Sequence, residues 1–257
     1  MRTPLDWDYT RLADAYVNRP GYAPAVIDAL TATAELTPGA SVVDLGAGTG
    51  HLTVELASRQ LDVFAVEPND RMRAHGRSRT AQTGNVRWVD ALMEDTHLPG
   101  NRFALTSFGS SFGVADPAAT LREAARLLLP DGWFCCMWNH RDLEDTLQSR
   151  IESYIREVIP EYQYGMRRED PTPRIAASGL FGDVLHREAR IRHRVATTAW
   201  VEAWRSHATL QRQAGDDFAS IVDGIDRIVR EAAGERLEVP YTTRMWMARR
   251  SATGEDR

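Results

Sequence analysis

The run VVDLGAGTG, Val42 to Gly50, leads straight into HLTVELASR. Apolar β-branched residues suit a buried strand, and three glycines within five positions allow a turn that side chains would block. The amphipathic run that follows reads as a helix. Such a turn sets backbone N–H groups and a helix N-terminus against something bound. A tight turn with no ligand is the plainer alternative.

The same alternation continues from about 41 to 138. SVVDLG, LDVFAVE, NVRWVDA, FALTSFG and GWFCCMW read as short apolar strands. HLTVELASR, DRMRAHGRSR and ATLREAARLLL read as helices between them. Short strands separated by amphipathic helices predict a parallel sheet covered on both faces, with right-handed crossovers. Two later strand patterns, VLHREARIRHRV and RLEVPYTTRMWMAR, complete a seven-stranded, doubly wound, Rossmann-like α/β sheet. The expectation is a single domain. Residues 1–38 form an N-terminal helical lid, broken near Pro20–Gly21, and 39–142 form the core. Residues 143–257 supply helical insertions and the last two strands.

Composition narrows the function. A net charge of −5 over 257 residues argues against a broad nucleic-acid surface, although arginines are frequent after Met166 and leave room for a local basic site. No apolar run approaches membrane-spanning length, and MRTPLDWDYT lacks a signal pattern. Cys135 and Cys136 are adjacent on a strand and point to opposite faces, which suggests neither a disulfide nor a metal pair. A cytoplasmic enzyme is expected, without metal, membrane or nucleic-acid partner; self-association into a homo-oligomer stays open.

The glycine spacing is G-x-G-x-G at Gly46, Gly48 and Gly50, one position short of the dinucleotide pattern, and the acid Asp44 lies inside the strand end. An acid there suits a ligand with a cationic or hydroxyl-rich part. Glu67, ending the second strand, can accept from both ribose hydroxyls; a solvated strand-end acid is the alternative. Together VVDLGAGTG, VEPNDRM, VDALMEDTHLP and LREAARLLLPDGWF resemble the motif series of class I S-adenosylmethionine-dependent methyltransferases. In the last of these, Asp131 replaces the family's first turn glycine. Toward both ends the chain resembles small-molecule enzymes of the trans-aconitate methyltransferase and antibiotic-tailoring kind.

The resemblance implies S-adenosyl-L-methionine as cofactor, with S-adenosyl-L-homocysteine as product. Gly46, Ala47 and Gly48 would approach its methionine and ribose, Asp44 its ammonium, and Glu67 the ribose diol. Pro68 and Met72 would pack on adenine, with Arg19 and Phe108 also in the cofactor site. The adenine edge has two registers, Asp90–Ala91 or Leu92–Met93, of which counting from Glu94 to Phe103 favours the second. A segment resembling the family's Y-x-x-R-P-x-Y opening carries Tyr9, Tyr16, Arg19 and Tyr22, and implies a lid.

On the acceptor side, Ser110, Ser111 and Phe112 stand where many relatives carry a histidine. Tyr9, Tyr16, Phe112 and His140 are the catalytic candidates, and Ser110, Ser111, Arg205 and His207 the substrate-binding ones. Simple helix packing is the alternative for the tyrosines and for His207. His51 and His97 read as structural. Methyl transfer is an in-line displacement whose leaving thioether needs no acid, and only a hydroxyl acceptor needs a strong base. The expectation is N-methylation of a small molecule in antibiotic biosynthesis. The alternative is carboxyl or hydroxyl O-methylation, with Arg205, Arg212 or Arg168 clamping an anion.

Overall fold

Residues 9–251 are described by the computed structural model, so the start of the expected lid, 1–8, and the end of the expected C-terminal segment, 252–257, lie outside the described residues. Seven strands form one sheet, ordered β3-β2-β1-β4-β5-β7-β6. Strands β1 (Ser41–Leu45), β2 (Asp62–Val66), β3 (Val86–Val89), β4 (Phe103–Gly109) and β5 (Leu128–Arg141) run parallel. β7 (Arg236–Arg250) is antiparallel to β5 on one side and to β6 (Phe181–Ala196) on the other. The expected doubly wound sheet is therefore what the chain forms.

Alternation along the strands divides the core. Val43, Leu45, Phe108, Phe134 and Cys136 face α5 (Pro117–Leu127) and α7 (Thr172–Ala177). Val42, Leu105, Cys135 and Met137 face α2 (Pro24–Thr33) and α3 (His51–Ser58). The neighbouring cysteines thus lie free on opposite faces, as the pleat requires. A third apolar cluster joins α6 (Thr146–Val158), α8 (Thr197–Trp204), α9 (Ala208–Ala214) and α10 (Phe218–Ala232) over the far ends of β6 and β7.

The N-terminal segment is interrupted at Pro20–Gly21, where the sequence places a break. Among the described residues only α1 (Ala13–Tyr16) precedes that bend, and α2 belongs to the sheet-covering core. Asn139 fixes that bend by donating to the carbonyls of Gly21 (2.8 Å) and Pro20 (3.3 Å). Thr243 Oγ1 donates to Asn139 Oδ1 at 2.5 Å and accepts from Ala23 N–H at 2.8 Å. The sequence predicts one helix through TTAWVEAWRSHATLQRQ, but the chain breaks between α8 and α9. His207 Nδ1 caps the second by accepting from Leu210 N–H at 3.2 Å. No helix among the described residues is long and apolar enough to cross a membrane.

Candidate active site

Two adjoining cavities open at the C-terminal ends of β1, β2, β4 and β5, where ligands collect in sheets of this kind. The outer cleft encloses about 810 Å³ and the inner cavity about 100 Å³. Tyr16, Gly46, Gly48, Gly109 and Ser110 line both, so the glycine turn forms the step between them.

Gly46 and Gly48 take positive φ, +68° and +56°. A Cβ on Gly46 would stand 2.6 Å from Ser111 Cβ and 2.8 Å from Met93 Cε. No side chain fits there. Glu67 fixes the turn, with Oε2 accepting from Gly48 N–H at 2.9 Å and Oε1 from Asn69 N–H at 2.8 Å. Burial raises the Glu67 pKa against these hydrogen bonds and the charge of Arg73.

Asp44 is fully buried, and Thr53 Oγ1 donates to its Oδ2 at 2.7 Å. Ser107 directs its hydroxyl to the Val43 carbonyl at 3.3 Å, and Asp44 Oδ1 has no hydrogen-bond partner. Burial pushes the Asp44 pKa up to about 7, against the Thr53 hydroxyl that favours the charged form.

Glu67, Pro68, Met72, Leu92 and Met93 line the outer cleft with Tyr9, Ser111 and Arg212. Asp90 does not line it and instead pairs with Arg73 at 3.4 Å, so the Leu92–Met93 register is the one facing the cleft. The loop carrying it is tied to α5: Glu123 accepts from Thr96 N–H (3.0 Å) and Thr96 Oγ1 (2.5 Å), and from Arg126 Nε (2.7 Å). That pairing gives the E-x-x-R spacing of LREAARLLL its physical role.

Arg19, Asp44, Ala47, His51, His140 and His207 line the inner cavity. Arg19 Nε donates to Ser206 Oγ at 2.8 Å and Nη2 to Ser206 O at 2.9 Å, while its guanidinium lies over the Tyr16 ring. His140 donates Nε2–H to the Arg167 carbonyl at 2.7 Å. Burial and then nearby arginines lower its pKa to about 4, the hydrogen bond opposing them. His207 is depressed further, by burial and then by Arg19, Arg167 and Arg141. His51, read as structural from sequence, reaches this wall too; burial lowers its pKa to about 3.

Three expected site residues lie elsewhere. Phe108 and Phe112 are buried in the core on the α5 face, where each packs against Phe134, and neither lines either of these two cavities. The β4 pleat explains Phe108, since Ser107 and Gly109 take the opposite face. Arg205 falls at the break between α8 and α9 and points outward to Glu202 (3.2 Å) and Asp223 (3.4 Å). Its neighbours Ser206 and His207 turn inward. The sequence reading missed Arg141, Arg167, Tyr164, Trp200 and Tyr241, which line the inner cavity. The arginine-rich stretch after Met166 was the available signal.

Residues 42–132 match the family described as a methyltransferase domain. An uncharacterised methyltransferase of Mycobacterium tuberculosis is 37% identical over 124 residues, 48% of this chain and 48% of that protein. A ubiquinone/menaquinone biosynthesis C-methyltransferase of Shewanella sp. strain ANA-3 is 30% identical over 133 residues, 48% of this chain and 52% of that one. The matched region thus spans about half the length of these curated relatives. Among solved structures, a proposed type II methyltransferase of Anaeromyxobacter dehalogenans superposes with a TM-score of 0.66 at 18% identity, over 90% of this chain and 97% of that one. A phosphoethanolamine N-methyltransferase of Haemonchus contortus, solved with phosphomonomethylethanolamine and S-adenosylhomocysteine, gives 0.57 at 16%, over 95% and 58%. These last two likenesses speak to the fold.

Proposed function

We propose that the methyltransferase domain takes S-adenosylmethionine across the glycine turn and transfers its methyl group to a small molecule in the inner cavity. One observation carries the reading. Asp44 Oδ1 is buried without a partner at the end of β1, beside a turn that side chains would fill. A buried carboxylate in that state is relieved by a cation, and the methionine ammonium is one. The larger outer cleft then suits adenosine, with Glu67 beside the ribose and Pro68, Met72, Leu92 and Met93 around the base. Arg19 is the cation available to the methionine carboxylate.

When bound, the cofactor supplies an activated methyl on a sulfonium. The chain's task is to hold the acceptor in line and exclude water. Tyr16 stands between the two cavities, edge-on to Tyr9 at 6.1 Å and to His51 at 6.3 Å. It serves as the lid contact nearest the reacting centre. Ser110 is held by Tyr22 across 3.1 Å between their hydroxyl oxygens. Neither His140 nor His207 is a strong base, which favours an acceptor atom that arrives nucleophilic: an amine nitrogen first, a carboxylate oxygen second. The resemblance to tailoring enzymes supports a role in secondary metabolism, and the C-methyltransferase among the relatives adds carbon as an outcome to be tested.

Calorimetry with S-adenosylhomocysteine tests the donor site. Wild-type protein should bind it, and Asp44→Ala should weaken binding by about 1–3 kcal/mol, as expected for a hydrogen bond to a charged group. Equal affinity in the variant removes Asp44 from the site. Methyl-labelled donor with a metabolite pool, read by mass spectrometry, then identifies the methylated atom.

A further inference from the structure

We infer that the inner cavity is built for an acceptor bearing an anionic group, a carboxylate or a phosphate, held by Arg167 and Arg168. This inference rests on the methyl-donor reading above. Four arginines, Arg19, Arg141, Arg167 and Arg168, line a small cavity whose single lining acid is Asp44. Their surroundings differ in an informative way. Arg141 has a counter-charge in Glu152 at 3.6 Å, and lies 4.4 Å over the Trp204 ring. Arg19 is bound by Ser206 and is matched by the donor's own carboxylate.

Arg167 and Arg168 have no such match. Arg168 Nη2 donates to the Arg141 carbonyl at 3.1 Å and its guanidinium lies 4.2 Å over Tyr164. Among the described residues no carboxylate stands within ion-pair distance of it, and Glu152, already paired with Arg141, acts on it only at longer range. Among the described residues, the Arg167 guanidinium has neither a hydrogen bond nor an ion pair. Cations withdrawn from water without counter-charge are costly, and a ligand anion removes that cost. Planar guanidinium groups also match carboxylate and phosphate oxygens bidentately. The surrounding histidines cannot substitute, because His140 and His207 are held neutral partly by these same arginines.

A cationic acceptor is disfavoured by the same geometry. Arg19, Arg141 and Arg168 already lie over Tyr16, Trp204 and Tyr164, three of the aromatic rings that line the cavity and could receive a cation. The anionic group anchors the acceptor, and the attacked atom is either a second group, such as a neutral amine, or a carboxylate oxygen itself.

The test uses protein saturated with S-adenosylhomocysteine and titrated at low ionic strength with succinate, inorganic phosphate and uncharged succinamide. At least one anion should bind and succinamide should not. Arg167→Gln combined with Arg168→Gln should weaken the anion at least tenfold, with Arg167→Lys retaining part of the affinity. Unchanged product binding in the double variant shows that the fold persists. Preference for succinate assigns a carboxylate, and preference for phosphate a phosphate. The inference is overturned when neither anion binds the saturated wild type, or when the double variant binds equally well. Failure of S-adenosylhomocysteine itself to bind would bring down the donor reading instead.

Discussion

Gly48 donates its backbone N–H to Glu67 Oε2 at 2.9 Å, so the end of β2 holds the turn that follows β1. The same carboxylate caps Asn69 N–H at 2.8 Å. Glu67 is thus a structural clamp as well as the group beside the proposed ribose. Glu67→Ala should weaken product binding by about 1–3 kcal/mol and also lower the melting temperature, because two backbone donors lose their acceptor. Calorimetry and thermal unfolding on one preparation separate the effects. An unchanged melting temperature contradicts the clamp, and unchanged affinity contradicts the ribose contact.

Asp44, if it meets the donor's ammonium as proposed, should make product binding pH-dependent. Its pKa rises from an ordinary 3.8 to about 7 on burial. The folded ligand-free protein then holds a proton that the unfolded chain releases at lower pH. This contribution to stability is complete below about pH 4 and is lost as pH rises toward 7. A bound ammonium favours the ionised form, so product binding near pH 6 should expel close to one proton, falling toward zero by pH 8. Calorimetry in buffers of different ionisation heat measures it. Proton release persisting in Asp44→Asn would assign the effect to another group.

Tyr16→Phe should lower kcat about tenfold, roughly 1.4 kcal/mol, while changing cofactor affinity little, if its hydroxyl acts mainly in the transition state. Full turnover in the variant would leave Tyr16 as packing for Tyr9 and His51.

Phe112 gives the opposite expectation. Its ring packs against Phe108 at 5.6 Å and Phe134 at 5.4 Å, buried to 2% exposure. Phe112→Leu should cost about 1–3 kcal/mol of stability, read from denaturant unfolding, with kcat per folded molecule nearly unchanged. A normal unfolding midpoint with lost turnover would return Phe112 to the reaction.

Asp131 stands at φ +67° where the resembled family carries glycine. A side chain there is strained, and its ion pair with Arg249 at 3.6 Å is exposed. Asp131→Gly should therefore stabilise the protein by about 0.5–1 kcal/mol, raising the melting temperature by roughly 2 °C. A fall in melting temperature would show that the ion pair outweighs the strain.

The sheet and the glycine-turn cleft proposed for the donor were legible because local chemistry dictates both. Apolar runs of strand length, a glycine turn that excludes side chains, and the Glu123–Arg126 spacing each act over a few residues. The cavity proposed for the acceptor depends on distant packing. Nothing in WRSHAT says that the helix breaks at Arg205, sending that arginine outward and Ser206 inward to hold Arg19. Likewise FGSSFG does not reveal that both phenylalanines face the core, because the turn at Ser110, with φ +62°, resets the alternation after β4. Arg167 reaches the cavity through a short turn, Gly165–Arg167, with no periodicity to betray its direction.

Placing β7 between β5 and β6 has a consequence for synthesis. Until Arg236–Arg250 leaves the ribosome, β5 is a bare sheet edge bearing Phe134, Cys135, Cys136, Met137 and Trp138, and β6 has no strand to pair with. The parallel half can assemble early, but closure waits for the late strand and for pairings of high contact order. A nascent chain stalled before Arg236 should be sticky and dependent on chaperones, since exposed apolar edges template aggregation. Insertion of that single strand buries the edge and pairs β6 in one step, so the two halves of the molecule should lose their structure together.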